Sequence, residues 1–205
     1  MDYSKPASSE LIEKTIDALA KNGISAEVVE SKEHAKETVL SLIPSGAEVM
    51  TMTSITLQET GIAEALNTDE QYVSVQNELN TLSRETHHME MQKLGAAPEW
   101  VVGSVHAVTE DGKILVASNT GSQLPAYAYG STHVIWVVGA QKIVKDMNQA
   151  MERLDYIIPL ESARARKAYG LPEEWNTFPS KLLIFNKEQS PKRIHVIFIK
   201  EAAGF

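Results

Sequence analysis

The chain has 205 residues, a formal net charge of -8 at pH 7 and no cysteine, a length suited to one sizeable domain that buries roughly 70% of its extended surface. The missing thiols exclude disulfides, Cys-held zinc, Cys-held iron–sulfur clusters and a thiol nucleophile, and the acidic balance argues against nucleic acid, whose phosphates call for a basic surface. No apolar run approaches the ~20 residues of a membrane span, and the opening residues do not read as a signal peptide, so a cytoplasmic protein with no membrane or nucleic-acid partner is expected.

Residues 1–8 read as a tail. Residues 9–21 read as a helix, capped by Ser8 or Ser9, with Ile12, Ile16 and Leu19 in a stripe and Asn22-Gly23 as its stop. A strand over 24–30 and a helix over 32–42 follow, with Ala35, Val39 and Leu42 expected to face inward. After the turn Pro44-Ser45-Gly46, residues 47–52 are apolar enough for a buried parallel strand. This strand runs into TSITLQETGI, where a helix starts at Thr56 and Glu59 is placed as the reciprocal member of a capping box.

Residues 71–94 are helix-like and polar. Strands are expected over 100–108 and 113–118, joined by the tight turn Glu110-Asp111-Gly112. A polar loop over 119–123 leads to a short helix over 124–129, and HVIWVV over 133–138 is the strongest strand. A long helix from about Lys145 carries Met147, Met151, Leu154 and Ile158 on one face. Residues 171–181 read as a loop, and 182–185 and 194–199 as two further strands. The alternation predicts a single α/β domain: a mostly parallel sheet flanked by helices on both faces, with antiparallel additions near the C-terminus.

Candidate chemistry sits in the turns after the strands, where open α/β sheets meet small ligands. Ser54 and Thr56 open a helix, whose free amides and dipole suit an anion, although a plain cap is the commoner use of such residues. Asn119, Thr120, Gly121, Ser122 and Gln123 form a second polar turn, neither a P-loop nor a dinucleotide fingerprint; Gly121 there permits positive φ. Gly139 ends the best strand, and Lys142 behind it can offer a point charge to an anion or stand solvated at a helix start. Gly103, Ser104 and His106 complete the ligand-binding set, with a buried, hydrogen-bonded role the alternative for His106. Glu110, and after it Glu59, are the carboxylates to test as an acid, base or covalent group. No metal site is expected: His87-His88 lack zinc-protease spacing, and no Ser/His/Asp order can be assembled.

Several stretches then match a known family: TSITLQETGI at 53–62, AVTEDGKIL at 107–115, NTGSQ at 119–123, VIWVVGAQKIVKD at 134–146 and RIHVIFIKEAAGF at 193–205. In this order the chain resembles the LUD domain, named for lactate utilization, of the lactate-utilization protein C type. The resemblance implies a fold similar to the sugar-phosphate isomerase and CoA-transferase superfamily. It also implies a bacterial role in lactate or organic-acid oxidation alongside iron–sulfur partner proteins. The chain departs from many relatives in having Ser122 and Gln123 after the Thr-Gly pair, Gln141 where Asn is common, and no cysteine in 170–183. It therefore resembles a cysteine-free branch, and losing an Arg at the Thr-Gly loop removes a bidentate anion donor.

Three functions compete: a small-anion-binding accessory protein of organic-acid utilization, an acyl- or phosphate-handling enzyme, and an assembly protein with no active site, docking through an apolar patch in residues 71–94. The first is favoured. Neither a cofactor nor catalysis is legible, and fold analogy does not decide chemistry.

Overall fold

The computed structural model describes residues 2–205. In chain order the elements are α1 (Ser9–Lys21), β1 (Ser25–Val29), α2 (Lys32–Leu42), β2 (Glu48–Thr51), α3 (Ile55–Glu59), α4 (Ile62–Thr68), β3 (Val73–Ser74), α5 (Val75–Thr81), α6 (His88–Ala96) and β4 (Trp100–Gly103). They continue with β5 (Ala107–Thr109), β6 (Ile114–Ser118), a π-helical turn (Ala126–Gly130), β7 (His133–Gly139), a 3-10 turn (Ala140–Lys142), β8 (Ile143–Val144), α7 (Met147–Tyr169), β9 (Lys181–Phe185) and β10 (Ile194–Ile199).

Six strands form a wholly parallel sheet in the order β1-β10-β7-β4-β2-β3. Side chains two residues apart share a face of a strand. On β7, Val134, Trp136 and Val138 therefore join one core, while Ile135 and Val137 join another. On β10, Ile194, Val196 and Phe198 follow the first set, and Ile197 and Ile199 the second. The second core packs Ala35 and Val39 of α2, Leu57 of α3 and Ile62 and Leu66 of α4 against the sheet.

The other face carries α1 and, instead of helices alone, a second sheet of four strands in the order β8-β5-β6-β9. Val108, Ile114 and Val116 point from it into the first core, whereas Ala107, Leu115 and Ala117 point outward to Ala150 and Leu154 of α7. The antiparallel additions expected near the C-terminus are thus a separate layer, in which β9 pairs with β6 and β8 runs parallel to β5.

Four local expectations are corrected. Residues 100–108 are not one strand: the chain leaves the parallel sheet after Gly103, and the His106 amide donates to the Leu115 carbonyl in the second sheet. Residues 71–94 break into β3, α5 and α6, and α6 buries no residue fully. The inner face of α7 is Ala150, Arg153, Leu154 and Ile157, while Met151 is exposed, because the outer side of the small second sheet accepts Ala150 and an arginine stem. Leu42 likewise lies outward and Ile43 takes the buried position. Within residues 2–8, Tyr3 is buried among Leu115, Ala150 and Leu154.

Truncating Leu115, which bonds the second sheet to α7, should cost about 2–5 kcal/mol. Leu182, an exposed β9 residue, should tolerate Leu182→Ser within about 0.5 kcal/mol. Urea midpoints of Leu115→Ala and Leu182→Ser check both values; equal midpoints would contradict the layered core.

Candidate functional site

Strands β2 and β4 end side by side, with Thr51 opposite Val102, while β7 runs on from Trp136, opposite Gly103, to Gly139. Beyond these ends the chain turns into α3, into the Ser104–His106 break and into the 3-10 turn. Lys142 lies in that turn and is only 3% exposed. Its ammonium donates to Thr56 Oγ1 at 2.9 Å and to Ser104 Oγ at 3.0 Å. Both hydroxyls pass their own hydrogens on, Ser104 to the Val137 carbonyl at 2.7 Å and Thr56 to the Ala203 carbonyl at 3.1 Å. With those protons committed elsewhere, each oxygen presents its lone pairs to Lys142. Lys142 is thus not the solvated alternative, and the segment after it is β8 rather than a helix start.

The segment after β10 closes this cluster. Gln141 Nε2 donates to the carbonyls of Ala203 and Gly204, each at 3.0 Å, and its Oε1 accepts from the Ala203 amide at 3.3 Å. The Gly204 amide donates to Glu59 Oε2 at 3.1 Å, and Lys32 Nζ pairs with the same oxygen at 3.0 Å. Gly204 has φ +64, and a Cβ there would stand 2.4 Å from Thr56 Oγ1, so glycine lets the backbone approach Thr56. Gly139 is similarly confined, because an added Cβ would meet Gln141 Oε1 at 2.1 Å. At Gly103 it would meet the Tyr127 hydroxyl at 1.7 Å. These two glycines serve close packing around the site.

The charges are unusual. Burial, helped by the charge of Arg153 and opposed by Glu59, pulls the Lys142 ammonium down to about 7. His106 is partly buried and its Nδ1 accepts from the Ala117 amide at 3.1 Å. Burial and then the charges of Lys142 and Arg153 hold it down to about 3, so the ring is neutral. With Nδ1 accepting, the proton belongs on Nε2. Burial would raise Glu59, but the Gly204 amide, Lys32 and Lys142 outweigh it and leave the carboxyl below its ordinary value. Glu59 is therefore an ionised partner of Lys32, and no capping box forms, because Ser54 is the cap and accepts from Leu57 N at 3.4 Å.

Arg153 was not singled out from the sequence. It lies on α7, is 0% exposed and donates Nη1 to the His106 carbonyl. Among the described residues its Nε and Nη2 have no partner. Burial lowers it to about 10, opposed by the phenols of Tyr156 and Tyr3, so it stays charged at neutral pH. Arg153 lies off the face marked by Met147, Met151, Leu154 and Ile158, so helical spacing gives no signal for it.

Other candidates lie apart from this hydrogen-bonded cluster. Glu110 pairs with Lys14 at 2.7 Å, and its amide donates to Val144. In the 119–123 turn, Gly121 takes φ +89 and its amide donates to Ser118 Oγ, Thr120 donates to Ser122, Ser180 donates to Asn119, and Gln123 donates to the Ala117 carbonyl. That carbonyl lies on the residue whose amide bonds His106, so Gln123 links the turn to the cluster by hydrogen bonds. Among the described residues no group of three or more His, Asp or Glu could hold a metal ion.

Fold and cluster together define an α/β protein with buried cations at the carboxyl ends of a parallel sheet. The chain belongs to the LUD domain family, whose model matches residues 12–199. A crystal structure of a DUF162 family protein from Deinococcus radiodurans is similar over 95% of this chain and 99% of its own, at 16% identity and a TM-score of 0.58. eIF2B beta from Chaetomium thermophilum is similar over 67% of this chain and 47% of its own, at 15% identity and a TM-score of 0.38. No curated protein matches the chain. No helix among the described residues is long and apolar enough to cross a membrane.

The depressed ammonium gives a stability signature. Between about 7 and the ordinary lysine value of about 10.4 the unfolded chain holds a proton that the folded one has released. Stability therefore rises with pH across that window. Relative to Lys142→Met, the wild type should gain roughly 2–4 kcal/mol between pH 6.5 and 9.5. Urea denaturation at the two pH values checks this, and a flat difference would refute the buried ammonium.

Proposed function

We propose that this LUD-domain protein binds a small organic anion at the carboxyl ends of β2, β4 and β7, with Lys142 as its central cation, and acts as an accessory subunit in lactate or other organic-acid utilization. The observation that carries the reading is Lys142 itself. It is nearly sealed from water, yet among the described residues only two hydroxyls lie within hydrogen-bond distance of its ammonium and no carboxylate does. A buried charge without a counter-ion is costly and normally pairs or neutralises. An anion entering between Ser104 and His106, both only partly buried, would supply the missing charge. Family membership supports the metabolic setting through the name of the domain, and iron–sulfur partners are part of the same proposal.

An enzymatic version rests on one further feature. A lysine lowered to about 7 holds enough neutral amine at physiological pH to accept a proton. In that version the working group is Lys142, since Glu110 is held by Lys14 and Glu59 by Lys32 and Gly204.

The test is a thermal-stability screen at pH 6.5 with inorganic phosphate, acetate, malonate, succinate and lactate. A bound anion should stabilise the wild type by about 2.7 kcal/mol at a roughly hundredfold excess over its dissociation constant. Lys142→Met should abolish the effect, Thr56→Val should weaken it, and Glu110→Gln should leave it intact. Anion affinity should fall as the pH is raised through about 7, where Lys142 releases its proton. Stabilisation that survives Lys142→Met, or none from any anion, would overturn the reading.

A further inference from the structure

Arg153 carries the next step. A fully buried guanidinium usually meets a carboxylate or several carbonyls. Among the described residues this one bonds a single neutral carbonyl, that of His106, and the groups that favour its charge are the phenols of Tyr156 and Tyr3. Its two bare nitrogens, Nε and Nη2, are not a random pair. They lie along one edge of the guanidinium plane and direct two parallel N–H bonds the same way, the spacing that matches both oxygens of a carboxylate.

His106 links this edge to Lys142. Its carbonyl accepts from Arg153, and its ring lies in the field of both cations. The carboxylate whose charge acts on Lys142, Glu59, is already paired with Lys32. Two positive charges therefore act on one neutral imidazole, and among the described residues no carboxylate pairs with either of them. Residues 2–8 run alongside: the rings of Tyr3 and Tyr156 meet at 5.5 Å, tilted by 45°, and the Ala7 amide donates at 3.3 Å to the carbonyl of Ala140, two residues before Lys142. Arg153 has no exposed surface, so a ligand at its bare edge would require residues 2–8 to move aside.

Building on the reading of Lys142 as the anion-binding residue, we propose that the bare edge of Arg153 is a second half of the same site, so that the ligand is a small dianion, its carboxylate on Arg153 and its other anionic group on Lys142. The dianion class follows from the charge count, and the carboxylate from the planar fork.

The experiment is calorimetric titration of the full chain at pH 6.5 with acetate, malonate and succinate. In the wild type at least one dicarboxylate should bind tenfold or more tightly than acetate. Arg153→Lys keeps the charge but loses the fork, and should bring the ratio of dicarboxylate to acetate affinity close to one. Arg153→Met should do the same; if it fails to fold, Arg153→Lys and the wild-type ratio decide. A wild-type ratio near one, or a ratio that Arg153→Lys leaves unchanged while lowering thermal stability, would make Arg153 a structural residue and overturn the proposal. Acetate binding that depends on Lys142 without any dicarboxylate gain would sink this step alone. No binding of any of the three would sink the reading of Lys142 with it.

Discussion

An ammonium held out of water by two hydroxyls is the constraint around which the carboxyl ends of the parallel sheet are arranged. Thr56 and Ser104 can serve Lys142 only because each has somewhere else to send its own hydrogen, one to Ala203 and the other to Val137. Those two acceptors come from the segment after β10 and from the middle of β7. The cluster thus draws together β4, β7, α3 and the Ala203-Gly204 turn, elements separated in the chain by up to 147 positions between Thr56 and Ala203. Moving any one of them breaks the chain of donors at a different point.

The same arrangement explains why the protein can be acidic outside and cationic within. Its net charge is -8, which repels anions at long range, although salt screens that field beyond roughly 8–10 Å. Close to the sheet ends the sign reverses, because Lys142 and Arg153 are buried while the nearby carboxylate Glu59 is engaged by Lys32 and the Gly204 amide. His106 stays neutral between the two cations, so it adds no third charge and can offer a single Nε2 hydrogen. If an anion binds there as proposed, the burial favours selectivity over a broad attraction for anions.

Much of this was legible in the sequence where local rules dominate. The caps and stops of α1, the alternating faces of β7 and β10, and the Gly112 hairpin follow from side-chain type and spacing alone. Thr56 and Lys142, polar residues just after apolar strands, meet in the buried cluster, whereas Ser54 takes the plain capping role that was its alternative. Other features depended on tertiary contacts. The break at Ser104–His106 is invisible in VGSVHAV, whose alternation is that of a continuous strand, and only the second sheet draws His106 away. Arg153 was hidden because helical spacing marks faces by their apolar members, and a charged residue on such a face is read as a neighbour of the stripe. The ion pair of Glu110 with Lys14 of α1, 96 residues away, is likewise a tertiary contact that local spacing does not show.

The most direct measurement of the central claim is the proton count on binding. Malonate is fully ionised at pH 8, whereas Lys142, lowered to about 7, is largely neutral in the free protein. Calorimetry in two buffers of different ionisation enthalpy should show wild-type protein taking up close to one proton per malonate bound. Lys142→Met should take up none. Proton-neutral binding by the wild type, or the same uptake in Lys142→Met, would show that the anion does not meet this ammonium.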